Sequence, residues 1–354
     1  MLYPAISIDG CTITPDTLDS WEKGRVGIQA DLAAFLREWW SPHDAIPLQT
    51  SGSTGKPKTI SASKEAMCAS AAATCRAFEL KAGDSALLCL PLRYIAGKMM
   101  VVRAMVGGLR LITAEPSSTP LAAVDTTIDF APLVPMQLAS TLATPGGLAE
   151  LLRVRTILLG GGFVDAKLEA QLQTLPCRIY TSYGMTETLS HIALRAANGS
   201  LRSEWYTPLP GVTTGISPAG TLYLSVPYLG IDHLMTNDLA ERTDDGRFRI
   251  LGRADAVINS GGIKIQAEDI ERELTSRTGL QVLAVPMPHP MLGQCVALLW
   301  EGPEDAYPSL LAACKELPRY HRPHHVLRAV IPRTETSKTA RAKARDIIMF
   351  NPLQ

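Results

Sequence analysis

The sequence lacks an excess of charge of either sign: 34 lysines and arginines balance 34 aspartates and glutamates, so the formal net charge is zero. This balance does not indicate binding to nucleic acid or to a membrane surface. The sequence also lacks an apolar run near the roughly 20 residues of a membrane-spanning helix. Residues 1–4 do not begin a basic segment followed by an apolar one, which is the pattern of a secretory signal. We therefore expect a cytoplasmic protein with no membrane span.

Cysteine is too scattered to form a framework. The seven cysteines are odd in number, and no two have the spacing of a Cys-x-x-Cys motif. A thiolate metal site and a disulfide scaffold are therefore not indicated. The chain instead has an ordinary globular balance of 46 % apolar and 19 % charged residues. Its 354 residues suffice for two domains, each with its own core.

Apolar strand patterns and helical patterns alternate along the first part of the chain. Strand patterns end just before residues 50–58, 160–162 and 182–188. Such alternation predicts an α/β domain in which mainly parallel sheets are flanked by helices. Ligands of these sheets bind at the carboxyl ends of the strands. One cleft is therefore expected to collect all three segments.

The pattern changes after about residue 205. Alternating antiparallel strands give way near residue 255 to a smaller α+β unit, which contains a hairpin around Gly261 and Gly262. We therefore predict a large N-terminal domain of residues 1–252 and a small C-terminal domain of residues 253–354, joined by a hinge.

Two charged segments of the second unit are expected to be solvated. One is the acidic first turn of a helix predicted over residues 267–276. The other is the basic stretch 319–345, most of whose eight lysines and arginines are expected to be solvated, with a share in binding the phosphates of CoA as the alternative. The acidic residues concerned are Glu268, Asp269 and Glu271.

Residues 50–58 combine four hydroxyls, two glycines and two lysines. Hydroxyls, backbone N–H groups and positive charge are what a polyphosphate requires. The segment is not a Walker A loop, because Gly55 and Lys56 are followed by Pro57, where that motif needs a Ser or Thr. A proline also resists continuing a helix. A solvated turn is the alternative. The candidate phosphate ligands are Thr50, Ser51, Gly52, Ser53, Thr54, Gly55 and Lys58.

Two further blocks carry side chains suited to a nucleotide. After a predicted strand, Tyr183 offers a ring that can stack on a base, Thr186 a hydroxyl for a phosphate and Glu187 a carboxylate for Mg²⁺. The alternative is a purely structural role: a strand followed by a helix, with a threonine as the helix cap and Glu187 in its first turn. Asp238 offers a carboxylate to two ribose hydroxyls, although a lone aspartate is also a common turn residue.

These blocks, in this order, resemble those of the adenylate-forming enzymes, a family of acyl- and aryl-CoA ligases, luciferases and peptide-synthetase adenylation domains. Residues 50–58 match Ser/Thr-Ser-Gly-Ser/Thr-Thr-Gly-x-Pro-Lys at every position, and residues 183–187 match Tyr-Gly-x-Thr-Glu. Residues 252–255 match Gly-Arg-x-Asp, and residues 332–338 resemble Pro-Arg-Thr-x-x-Gly-Lys. Ser337 replaces the glycine of this last motif, and Asn237 replaces that of Thr-Gly-Asp.

The resemblance implies the α/β fold with a mobile small domain, and it implies ATP, Mg²⁺ and coenzyme A as ligands. It assigns catalysis to Lys338, Thr186 and Glu187, with Glu187 binding the metal. It places the nucleotide against the phosphate loop and against Gly160, Gly161, Gly162, Ser182, Tyr183, Gly184, Asp238 and Arg253. It makes Asp255 the hinge and places Gly261 and Gly262 beside CoA.

Within the family, the chain resembles the short 2-succinylbenzoate–CoA ligases of menaquinone biosynthesis. The phosphate loop comes early, where most relatives have a longer preceding segment, and residues 90–103 are similar to that subgroup. This acid has two carboxylates, of which one reacts and the other needs cations or donors. Candidates for the second carboxylate are Arg93, Lys98 and Arg103, for which surface exposure is the alternative.

The resemblance thus implies an ATP-dependent acid–CoA ligase that works through an acyl-AMP intermediate. Its partners would be a small carboxylic acid, ATP and CoA, with no nucleic acid. Two alternatives stay open: a ligase for another aryl or acyl acid, and a non-catalytic adenine-nucleotide-binding protein on the same fold. The oligomeric state does not follow from the sequence.

Overall fold

The structure is a computed structural model that describes residues 3–49, 59–162, 164, 166–334 and 339–351. The predicted phosphate loop, residues 50–58, and the predicted catalytic Lys338 lie outside the described residues. Across the described ranges, no helix is both long enough and apolar enough to cross a membrane.

Twenty strands form three sheets and one separate hairpin within the described part of the chain. In chain order they are β1 Ile6–Ile8, β2 Cys11–Ile13, β3 Ala45–Gln49, β4 Thr59–Ser63, β5 Ser85–Leu88, β6 Arg110–Thr113, β7 Ile128–Leu133, β8 Val154–Leu159, β9 Arg178–Gly184, β10 His191–Ala196, β11 Thr207–Pro208, β12 Thr213–Ile216, β13 Thr221–Val226, β14 Ile231–Arg242, β15 Phe248–Arg253, β16 Val257–Ser260, β17 Ile263–Gln266, β18 Gln281–His289, β19 Gly293–Glu301 and β20 His325–Arg328.

The α-helices of the described residues lie between these strands. They are α1 Pro15–Glu22, α2 Ile28–Trp40, α3 Lys64–Ala77, α4 Ile95–Gly107, α5 Pro135–Ala143, α6 Gly147–Leu151, α7 Ala166–Leu172, α8 Ala267–Thr278, α9 Tyr307–Glu316 and α10 Arg341–Phe350.

The largest sheet has nine strands in the order β11-β10-β9-β8-β7-β5-β6-β1-β2. Its six central strands, β9 to β1, pair in parallel, and antiparallel pairs occur only at the two edges. These strands are buried along most of their length, which fits a parallel sheet covered by helices. The predicted α/β class is confirmed.

The helices beside this sheet follow the apolar pattern of the sequence. In α2, Leu32, Leu36 and Trp39 recur at helical spacing and are all buried. The hydroxyl of Ser63 accepts a hydrogen bond from the backbone of Ala66 at 3.0 Å and so caps α3. Helix α4 ends at Gly108, which adopts the left-handed conformation.

The hairpin β3–β4 flanks the predicted phosphate loop. Its register pairs Ala45 with Ser63 and Gln49 with Thr59. Gln49 and Thr59 are therefore neighbours across the hairpin, on either side of residues 50–58. The sequence pattern ends a strand just before residues 50–58, and β3 does end at Gln49.

The remaining strands form two antiparallel sheets. Strands β12 to β15 form a four-stranded sheet, and β17-β16-β19-β18 form another, to which β20 adds in parallel beside β19. The 3₁₀ turn Ala254–Ala256 connects the two sheets at the predicted domain boundary. In the second sheet, β16 and β17 are joined through Gly261 and Gly262, whose positive φ angles of 61° and 87° suit a two-residue hairpin turn.

One prediction about this second sheet is wrong. Glu271 of α8 is not solvated but largely buried: it accepts hydrogen bonds from Arg341 and, at 2.8 Å, from the backbone N–H of Ala284. Burial raises the pKa of Glu271, although Arg341 opposes the rise. Glu268 also pairs with Arg341, at 3.4 Å. Asp269 alone of the three acidic residues stays exposed, beside Arg272.

The last part of the basic stretch forms α10. Buried Ala344 and Ile348 face Leu283 and Leu299 of the sheet. Arg341, at the start of α10, also donates to the carbonyl of Ala284 at 2.5 Å. This guanidinium thus attaches the helix that follows the Lys338 segment to both α8 and β18.

Replacing Arg341 with alanine should destabilise the protein by about 3 kcal/mol, because it leaves the buried carboxylate of Glu271 without its counter-ion. Arg345→Ala is the matched control, since Arg345 lies exposed on the same helix. Urea unfolding of both variants measures the difference. Equal midpoints would show that the pair does not hold α10 in place.

Candidate functional site

Two of the three segments predicted to share a cleft do meet at the carboxyl ends of the parallel strands. The hydroxyl of Ser182 on β9 donates to the carbonyl of Leu159, the last residue of β8, at 3.0 Å. A Cβ on Gly160 would lie 3.0 Å from that hydroxyl, and one on Gly162 would lie 3.3 Å from Pro135. The glycines therefore allow residues 160–162 to pass closely between neighbouring elements.

Tyr183 lies further along β9, and its hydroxyl donates to Oδ2 of Asp238 on β14 at 2.5 Å. Its ring packs edge-on against Phe248, with centroids 5.1 Å apart. Burial, reinforced by the neighbouring Asp238 carboxylate, raises the pKa of Tyr183. The phenol therefore stays protonated and remains a hydrogen-bond donor.

Asp238 also has a cationic neighbour. Antiparallel pairing of β14 and β15 sets Asp238 opposite Arg253, whose Nη1 lies 3.4 Å from Oδ1. Arg253 holds Asp255 with two further bonds of 2.8 Å and 2.7 Å, and these bonds lower the pKa of Asp255. The structure thus brings together Asp238 and Arg253, both assigned to the nucleotide, and Asp255, assigned to the hinge.

The motif after β9 forms the 3₁₀ turn Thr186–Thr188. The hydroxyl of Thr188 accepts from the backbone of Met185 at 3.0 Å, which fixes the start of the turn. Glu187 is exposed at the turn, and its carboxylate has no hydrogen bond or ion pair with the residues that the structure describes. It is therefore available to a ligand.

The chain after this turn folds back tightly on β9. A Cβ on Gly184 would collide with the backbone of Ser190 and His191, so only glycine fits there. Leu189 has a φ of 59°, a conformation that is strained for a branched side chain. This fold-back packs Ser190 and His191 against residues 183–187, which are called the nucleotide motif below.

Arg103 on α4 also contacts Ser190. It is only 3 % exposed, and it donates through Nε to Thr74 at 3.1 Å and through Nη2 to Ser190. Burial lowers the pKa of Arg103 to about 10, although Cys75 opposes that shift. The guanidinium is still charged at neutral pH. In the described ranges, no carboxylate lies within ion-pair distance of it.

His191 completes this cluster, and the sequence analysis did not identify it. Its Nδ1 lies 3.2 Å from the hydroxyl of Ser190, and its Nε2 lies 3.3 Å from that of Thr74. Burial, and then the charge of Arg103, lowers the pKa of His191 well below its usual value. The only signal in the sequence is that Ser190 and His191 directly follow the motif.

The other two predicted substrate cations do not join Arg103. Arg93 is exposed and lies over the ring of Tyr94, 4.8 Å from its centroid. Lys98 pairs with Glu38 at 3.3 Å and donates to the carbonyl of Pro47 at 3.2 Å. Of the three, Arg103 is the one buried beside the nucleotide motif.

Backbone contacts join the chain on the two sides of residues 335–338, the segment that contains Lys338. Arg333 and Thr339 form a backbone bridge, and the N–H of Ala340 donates to the carbonyl of Pro332 at 2.8 Å. Arg333 also pairs with Glu301 at 3.0 Å. The chain on either side of residues 335–338 is therefore anchored to the C-terminal sheet.

Residues 183–187 lie at the carboxyl ends of the parallel strands, where α/β sheets bind their ligands. Residues 9–220 match the family described as AMP-binding enzyme. The match covers more than half of the 354 residues, and the chain belongs to this family.

Three comparisons give its similarity to known proteins. A crystal structure of an AMP-forming acyl-CoA synthetase/AMP-acid ligase II-like protein from Dyadobacter fermentans is 36 % identical, with a TM-score of 0.64, over 93 % of this chain and 97 % of that one. The 2-succinylbenzoate–CoA ligase of Salmonella typhimurium is 28 % identical over 72 % of this chain and 57 % of its own length. The Bacillus subtilis o-succinylbenzoate CoA synthetase, in complex with an acyl-adenylate intermediate, is 22 % identical, with a TM-score of 0.73, over 85 % of this chain and 68 % of that one.

These comparisons differ in what they establish. The Bacillus structure shows a shared fold. The chain spans little more than half the length of the first curated relatives it matches.

Replacing Tyr183 with phenylalanine should lower the free energy of unfolding by about 2 kcal/mol, the cost of losing a hydrogen bond to a carboxylate. Tyr206→Phe is the matched control, because its ring packs beside Tyr183 and its hydroxyl has no partner among the described residues. Denaturant unfolding of both variants tests this, and a loss of similar size in the control would contradict it.

Proposed function

We propose that the protein is an ATP-dependent ligase that joins 2-succinylbenzoate to coenzyme A through an acyl-AMP intermediate, a step of menaquinone biosynthesis. The observation that carries the proposal is the buried guanidinium of Arg103, which lies beside the nucleotide motif without a carboxylate partner among the described residues. The similarity to curated 2-succinylbenzoate–CoA ligases supports the same choice.

The substrate follows from the cost of burying charge. An arginine that is desolvated without a counter-ion is expensive, and a site that will receive an anion recovers that cost on binding. 2-Succinylbenzoate has a second, aromatic carboxylate that does not react. The guanidinium of Arg103, held by Ser190, supplies the charged donor that it requires. A fatty-acid pocket would have no use for this cation.

The nucleotide is placed by the residues around β9 and β14. Asp238, held by Tyr183 and Arg253, presents a fixed carboxylate to the ribose hydroxyls. The glycines at 160–162 let the backbone approach the adenine, and the hydroxyls and lysines of residues 50–58 receive the β- and γ-phosphates.

The residues present suit a Mg²⁺ ion that is bound jointly by one protein carboxylate and the phosphates of ATP. In the described part of the chain, no group of three or more acidic, histidine or cysteine side chains is placed to hold a metal ion. The free, exposed carboxylate of Glu187 suits Mg²⁺, which is commonly bound by one or two carboxylates together with substrate phosphates. When bound, the ion would neutralise charge on the phosphate oxygens.

The reaction has two half-reactions. In the first, the succinyl carboxylate attacks the α-phosphorus of ATP, a P–O bond forms, and pyrophosphate leaves. Lys338 stabilises the charge that develops on the phosphate oxygens, and Thr186 contacts the α-phosphate. In the second, the small domain turns about Asp255, the CoA thiolate attacks the acyl carbon past Gly261 and Gly262, and AMP leaves.

The direct test is pyrophosphate release with ATP and a panel of acids, with mass detection of the CoA thioester. The proposal predicts release and a thioester with 2-succinylbenzoate. A thioester with another acid alone would make the protein a ligase for that acid. No release with any acid would favour a non-catalytic nucleotide-binding protein.

Replacing Arg103 with methionine should raise KM for 2-succinylbenzoate about 100-fold, because the aromatic carboxylate loses its counter-ion. KM for 4-oxo-4-phenylbutanoate, the same skeleton without that carboxylate, should change little. Arg93→Met is the matched control, since Arg93 is exposed. An equal rise for both acids would contradict the assignment of Arg103 to the second carboxylate.

Replacing Lys338 with alanine should slow adenylation about 100-fold or more but leave thioester formation from supplied acyl-AMP nearly unchanged, because the ammonium acts only at the α-phosphate. Single-turnover assays of the two half-reactions measure this, with the exposed Lys343→Ala as the control. Equal losses in both half-reactions would refute the role.

A further inference from the structure

The hydrogen bonds around His191 determine where its proton lies. Thr74 accepts from Arg103 and directs its own hydroxyl hydrogen to the carbonyl of Ser70 at 3.2 Å. The contact between Thr74 and Nε2 is therefore satisfied when Nε2 carries a proton and donates. Nδ1 is then an acceptor, and it takes the hydroxyl hydrogen of Ser190.

This arrangement leaves the Ser190 oxygen facing Arg103 with its lone pairs. The oxygen accepts from Nη2 of Arg103 while its hydrogen is held by His191. Nε of Arg103 is occupied by Thr74. Nη1 has no acceptor in the described part of the chain, so both of its N–H groups remain for a ligand.

The groups that face His191 favour its neutral form. Arg103 of α4 contributes a positive charge, and the thiol of Cys75 on α3 lies behind that arginine, 3.8 Å from its carbonyl. Phe78 of α3 packs edge-on against the imidazole, with centroids 6.2 Å apart. Protonation of His191 would place a second cation beside Arg103 and would weaken the contacts of His191 with Ser190 and Thr74.

We propose that His191 is a positioning residue that sets the affinity for the second carboxylate of the acid. It holds the Ser190 hydroxyl in the orientation that accepts from Arg103, and this fixes the guanidinium with Nη1 presented to the substrate. The inference rests on the proposed function, and it adds a specificity role for a residue that need not touch the substrate.

Three substitutions separate the two imidazole nitrogens. Asparagine can supply an acceptor near the position of Nδ1, glutamine can supply a donor near that of Nε2, and phenylalanine supplies neither. His191→Phe and His191→Gln should raise KM for 2-succinylbenzoate about tenfold, the loss of one positioned hydrogen bond. His191→Asn should stay close to wild type. KM for 4-oxo-4-phenylbutanoate and for ATP, and kcat, should hardly change in any variant.

The pH dependence of stability provides a second readout. A histidine whose pKa is lowered on folding binds fewer protons in the folded state than in the unfolded state. The unfolding equilibrium should therefore shift toward the unfolded state by up to about tenfold per pH unit as pH falls below about 6.5. His191→Asn should lose this component, whereas the exposed His43→Asn should keep it.

Each outcome can be distinguished. A normal KM for 2-succinylbenzoate in His191→Phe would overturn the positioning role. Equal rises for both acids in all variants would show a purely structural role and would overturn it as well. A wild-type protein without activity on either acid would refute the proposed function together with this inference, whereas failure of the variants alone leaves the ligase proposal intact.

Discussion

A buried guanidinium needs a counter-ion, and Arg103 has none among the described residues. Thr74 and Ser190 satisfy two of its donors but do not balance its charge. The chain that leads to Ser190 is strained: Leu189 has a positive φ angle, and only glycine fits at position 184. Strain of this kind concentrates at functional sites.

A second set of contacts links β9 and β14 to the start of the C-terminal sheet. Tyr183 holds Asp238, Arg253 bridges Asp238 and Asp255, and Gln266 donates to the carbonyl of Arg253 at 3.1 Å. A continuous chain of hydrogen bonds therefore runs from the proposed ribose site through the predicted hinge. Occupation of the ribose site would act directly on the residues about which the small domain is proposed to turn.

Local pattern predicted much of this structure, and long-range pairing accounts for most of what it missed. The helix predicted over residues 267–276 forms α8, because its apolar spacing and the glycine that follows it are local signals. Glu271 was expected to be solvated because its partner Arg341 lies 70 residues away. His191 was missed for a similar reason, since it contacts Thr74 across 117 residues. Tyr183, Asp238 and Arg253 were found through motif order, which no single residue type would have revealed.

The most direct test of the central claim is the affinity of the wild-type protein for two acids, measured by titration with a non-hydrolysable ATP analogue present. One acid is 2-succinylbenzoate, and the other carries a neutral carboxamide in place of its aromatic carboxylate. If Arg103 receives that carboxylate, the carboxamide should bind at least about 30-fold more weakly. Equal dissociation constants would contradict the account.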